Sequence, residues 1–116
     1  MTPTPETVQR YRTMAAACLR DALQPEMSIG GRSNAAFDAV YMYCRIVMAG
    51  DDGALQHPTH LVLIDAWSRL GFQSSDLQPA VRHLRNWYAH EAELQGAEYD
   101  ALVALAWRLE AATLPR

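Results

Sequence analysis

Lysine is absent from this chain: all ten basic residues are arginine, set against thirteen Asp and Glu. The formal net charge is −3. That balance leaves no general electrostatic footprint for nucleic acid, so recognition of an anion has to come from a local cluster. Cysteine is scarce. Cys18 and Cys44 both fall in apolar helical patterns, which reads as two buried free thiols of a reduced, cytoplasmic protein and excludes a disulfide framework. No apolar stretch approaches the ~18 residues of a membrane span. The segment Met1 to Arg12 carries Pro3, Pro5 and Glu6 where a secretory signal needs an apolar core. A Gly-x-Ser-x-Gly turn is missing, as is the strand that would mount it, so a Ser/His/Asp hydrolase finds no support.

What is present is enough for one domain. The chain has 116 residues, half of them hydrophobic, which suits a single core over residues 1–116 without metal or disulfide staples. The Pro/Thr-rich first five residues read as a disordered tail. Gly and Pro then divide the sequence into five helical runs. The first spans Pro5 to Leu23, with Val8, Tyr11, Ala15, Cys18, Leu19 and Ala22 at helical spacing. Gln24 to Arg32, with Pro25 and Gly30-Gly31, reads as a loop. Ser33 or Asn34 is the expected cap of a second helix reaching Ala49, with Phe37, Val40, Tyr41, Cys44, Val47 and Met48 on its apolar face. Gly50 to Gly53 reads as a turn.

A third helix is expected from Pro58, a residue tolerated in a first turn, to Leu70, where Gly71 can close it in the left-handed conformation. The fourth starts at Ser74 or Ser75 and runs to Ala92. The fifth covers Ala97 to Thr113, with Tyr99, Leu102, Val103, Ala106 and Leu109 as its stripe. Short connections between long amphipathic helices predict an all-α, up-and-down bundle of four to five helices.

The fourth run carries the chemistry. On a helical wheel advancing about 100° per residue, Val81, Leu84, Trp87 and Tyr88 gather on one side. Arg82, His83, Arg85, Asn86, Ala89 and His90 gather on the other. Arg82, Asn86 and His90 follow one another at four-residue steps, and small Ala89 leaves room for close approach. Guanidinium matches phosphate with two parallel donors. Imidazole exchanges protons near neutrality. RNA brings its own nucleophile in the 2′-OH, and the sequence has no acidic cluster at the spacing that would hold Mg²⁺.

Arg85-Asn86-x-x-x-His90 on a late helix of a small bundle resembles the HEPN superfamily, whose signature is Arg, four to six residues, then His. The polar Asn86 after the Arg fits. The run Ser33 to Tyr43, rich in Ala and Tyr, resembles the second helix of HEPN domains, and Tyr99 to Leu109 resembles their last one; the likeness covers Asn34 to Leu109. The resemblance implies a homodimer in which the two Arg/His motifs meet through the fourth helix. It implies one of two functions: a metal-independent endoribonuclease, often a bacterial toxin paired with a nucleotidyltransferase antitoxin, or a non-catalytic binding and dimerisation module. In the first, Arg85, Asn86 and His90 are the catalytic residues and Arg82 and His83 bind substrate, with neither metal nor other cofactor. The bare alternative for Arg85 and His90 is a solvated polar face.

Other candidates weigh less. His57 and His60, three apart, lack a third ligand, so helix-terminal polarity explains them better than a metal. Asp51-Asp52 reads as a turn and lacks a calcium-loop pattern. Trp67, Trp87 and Trp107 are expected in the core before any stacking platform, and Met14, Met42 and Met48 as core filler or interface.

Overall fold

The computed structural model describes residues 5–89 and 96–114. Within them the chain is a bundle of α-helices with no strand. The elements are α1 (Pro5–Ala22), α2 (Ile29–Val47), the single turn α3 (Asp52–Leu55), α4 (Thr59–Arg69), α5 (Gln78–Ala89) and α6 (Gly96–Ala112). A 3-10 turn, Ser74–Leu77, leads directly into α5. None of these helices is long and apolar enough to cross a membrane. The expected tail lies almost wholly outside the described residues, with Pro5 already opening α1.

Glu6 in the first turn of α1 and Arg20 in its last complement the helix dipole. The end of α1 is fixed from outside. The Ala22 carbonyl, orphaned at the helix terminus, accepts from Tyr99 Oη at 2.6 Å and from Arg32 Nε at 3.1 Å. Arg32 also lies over the Tyr99 ring, 4.6 Å from its centre. One carbonyl thus gathers α1, α2 and α6.

The start of α2 corrects the sequence reading. Ser28, not Ser33 or Asn34, is the cap: its backbone is extended (φ −62°, ψ 156°) and its Oγ accepts from the Gly31 amide at 3.1 Å. Gly30 and Gly31 therefore sit in the first turn of the helix and not in a loop. Gly31 earns its place sterically, because a Cβ there would come within 3.3 Å of Ser28 Oγ and Met27 Cε. Ser33 is buried instead, its hydroxyl without a partner among the described residues.

α2 is the axis of the fold. It packs against α1, α4, α5 and α6, and Ala36, Phe37, Ala39, Val40, Met42, Tyr43 and Cys44 are all buried. That arc is too wide for a surface helix, which needs only one apolar stripe. Leu19 of α1, Val62, Leu63 and Trp67 of α4, and Leu102 and Leu109 of α6 complete the core. Trp107 departs from expectation at 49% exposed, and Met14, expected as core filler or interface, is not in the core at 47% exposed. Trp67 conforms, while Trp87 has no described side chain.

α4 ends as the sequence predicts. Gly71, at φ +75°, lets its amide reach the Ser68 carbonyl at 3.0 Å while Phe72 N donates to Trp67 O at 3.3 Å. This is the Schellman arrangement, with its accompanying apolar contact between Phe72 and Trp67. Asp51, read as part of a simple turn, precedes α3 and pairs with Arg69 at 2.8 Å.

Candidate functional site

α5 follows the 3-10 turn without a break, and Leu77 at that junction is buried against the core. Of the α5 side chains that are described, Ala80 and His83 are buried, Val81 and Leu84 are partly covered, and Gln78, Arg82 and Arg85 are exposed. The predicted polarity of the helix holds for Val81, Leu84, Arg82 and Arg85. It fails for His83.

His83 is placed on the polar face by the wheel, yet it is only 4% exposed. Its Nε2 stands 2.9 Å from Asn34 Oδ1 of α2. Its ring lies against Phe37, with centroids 5.1 Å apart and planes tilted by 30°. The geometric reason is that 100° steps put His83 at the edge of the apolar arc, 60° from Ala80. α2 then offers a polar side chain opposite that edge, which the α5 sequence alone does not reveal. Burial pushes the imidazole below its ordinary pKa, although the Glu98 carboxylate pulls the other way. A neutral, walled-in imidazole cannot reach a phosphate from this position, so the substrate-binding placement expected for His83 is corrected.

Arg82 and Arg85 stand out when the fates of the other arginines are compared. Arg12 caps the Thr113 carbonyl beyond α6. Arg32 holds Tyr99 and Ala22. Arg45 donates to Tyr11 Oη at 3.0 Å and lies over the Tyr11 and Tyr41 rings. Arg69 pairs with Asp51, and Arg108 pairs with Asp76 at 3.1 Å while covering Phe72 at 4.2 Å. These five serve the fold. Arg82 and Arg85, three residues apart on one exposed face, take part in no ion pair among the described residues. Arg10 and Arg20 of α1 are also exposed, but ten residues separate them.

No family model matches the chain, and no curated protein or solved structure does either. The site is therefore read from its own residues. Asn86 lies within α5, but its side chain is outside the described set, and His90 is outside the described residues altogether. The structure thus brings Arg82 and Arg85 together and separates His83 from them.

The remaining sequence candidates resolve simply. His57 Nδ1 lies 3.9 Å from Asp65 Oδ2, with both side chains about half exposed. Among the described residues no three His, Cys, Asp or Glu gather as metal ligands would. Cys44 is buried, as expected, and its thiol is pushed up to about 12, so it is not a nucleophile near neutrality. Asn34 is the neighbour of α5 that sequence reading missed. It was visible only as a cap candidate, whereas its role is to meet His83.

Proposed function

We propose that this chain is an HEPN-like domain acting on RNA through the exposed face of α5, as a metal-independent endoribonuclease. The observation that supports the reading is the pair Arg82 and Arg85, exposed one turn apart with no acidic partner among the described residues. Five other arginines are engaged in the fold. In the reaction, the 2′-OH of a ribose attacks the adjacent phosphorus, a P–O bond forms to it, and the bond to the 5′-oxygen breaks, leaving a cyclic phosphate. His90 takes the 2′-OH proton or supplies one to the leaving oxygen. Arg85 neutralises charge developing on the phosphoryl oxygens, Asn86 orients substrate or His90, and Arg82 holds a neighbouring phosphate. Two copies meeting through α5 would place two such faces along one groove. The setting is cytoplasmic, in a bacterial toxin–antitoxin or defence pair with a nucleotidyltransferase-type antitoxin.

The burial of His83 favours a second reading, because it withdraws one of the two imidazoles of this run from the surface. In that reading the Arg82/Arg85 face is a non-catalytic module that binds an acidic partner or pins the dimer.

Incubation of the purified chain with mixed RNA in EDTA separates the two. The nuclease reading expects cleavage that survives chelation and falls by about 10²–10³ in Arg85→Ala, the loss typical of a single transition-state donor. It expects a comparable loss in His90→Ala. Undiminished cleavage in both variants would sink the site assignment. Absence of cleavage with RNA still bound would favour the binding module.

A further inference from the structure

His83 is the largest buried side chain on the described part of α5; the other buried residue there is Ala80. Among the described side chains of this helix, the buried imidazole sits beside Ala80, with Val81 and Leu84 partly covered against the core. Around that ring, α2 contributes the Asn34 amide and the Phe37 ring, neither of which changes charge near neutrality. α6 contributes the Glu98 carboxylate. Arg82 and Arg85 flank His83 in sequence but point to solvent.

The two ring nitrogens are unequal. Nε2 faces the Asn34 carbonyl oxygen, so it carries the hydrogen and donates. Nδ1 is buried and has no partner among the described residues. A bare lone pair in that position is tolerated. An added proton is not, because it would make Nδ1–H a buried, charged donor with no hydrogen-bond acceptor among the described residues.

We propose that His83 is an acid-sensitive latch: a proton taken from solvent onto Nδ1 undocks α5 from α2 and α6 and shifts the Arg82/Arg85 face. The latch is independent of what that face binds, so it stands apart from the nuclease reading. The direction follows from linkage. A base whose pKa is lower in the docked state than in the released state stabilises docking above the ordinary imidazole pKa. That contribution is lost as pH falls below about 6.5.

Hydrogen exchange followed by mass spectrometry on the intact chain tests this. Protection of the peptide spanning residues 78–89 is compared with that of residues 36–44 in α2 at pH 7.5 and 5.5, after correction for intrinsic exchange. The latch predicts that α5 protection falls relative to α2 by up to about tenfold, the protonation gain of a released imidazole over that interval. His83→Gln keeps a donor toward Asn34 but cannot titrate, and its ratio should not change with pH. Asn34→Asp sets a carboxylate against the imidazolium and should shrink the drop; this variant carries the test if His83→Gln does not fold. A constant ratio in the wild type, or an undiminished drop in the variants, overturns the proposal.

Discussion

Phe72 closes back on Trp67 twice over. Its amide donates to the Trp67 carbonyl at 3.3 Å, and the two rings meet edge to face with centroids 4.9 Å apart. The Trp67 indole then donates to the Gln73 carbonyl at 2.6 Å, and the Arg108 guanidinium covers both rings. The reversal after α4 is what directs the chain into α5, and it depends on Gly71 at φ +75°.

Gly71→Ala should therefore destabilise the fold by about 1–2 kcal/mol, the penalty for a Cβ in the left-handed region. Gly30→Ala should do the opposite. Gly30 lies in the first turn of α2 with nothing within 4 Å of an added Cβ, so alanine there gains up to about 1 kcal/mol. Urea midpoints of the two variants, taken with the slope of the transition, check the ordering. The reverse ordering would contradict the assignment of both glycines.

Tyr99→Phe removes the hydroxyl that donates to the Ala22 carbonyl and accepts from Arg32 at 2.9 Å. Arg32 keeps its own bond to Ala22, so the loss should be about 1–3 kcal/mol and not a collapse. Arg69→Ala, which breaks a pair with both partners more than a third exposed, should change stability by less than about 1 kcal/mol. Equal effects in equilibrium unfolding would show that the Ala22 junction does not hold the bundle together.

The thiols give a prediction without mutation. Cys44 is fully buried with its thiol pushed up to about 12, and burial with the Asp38 and Asp21 carboxylates raises Cys18 as well. At pH 8 an aromatic disulfide reagent should modify Cys18 slowly and Cys44 only after denaturation. Two rapidly reacting thiols in the folded chain would contradict the packing of α2.

The sequence disclosed most of the helices because their signals are local. Gly71 marked the end of α4 through its backbone freedom, and the stripe Tyr99, Leu102, Val103, Ala106 and Leu109 identified the core-facing side of α6, with Val103 only partly buried. The beginning of α2 was misread because paired glycines usually mark a loop. What decides it is Ser28, whose cap bond satisfies a first-turn amide and lets the helix begin through Gly30 and Gly31. Trp107 was misassigned because its apolar character does not say which side of α6 meets α2. His83 was the harder case. An imidazole suits either side of a helix, and its burial depends on Asn34, 49 residues away in sequence. Arg85 and Arg82 were placed correctly, since permanent charge leaves few alternatives to the surface.

We propose that the Arg82/Arg85 face of α5 is where this chain meets RNA. Fluorescence anisotropy of a labelled single-stranded RNA, titrated at several salt concentrations, measures it most directly when wild type is compared with Arg82→Ala/Arg85→Ala. Each phosphate contact contributes about 0.7 to the salt slope for single strands. The double variant should therefore bind more weakly, with a slope shallower by up to about 1.4 per bound subunit. An unchanged affinity and slope would contradict the account, and would leave the two arginines as ordinary solvated residues.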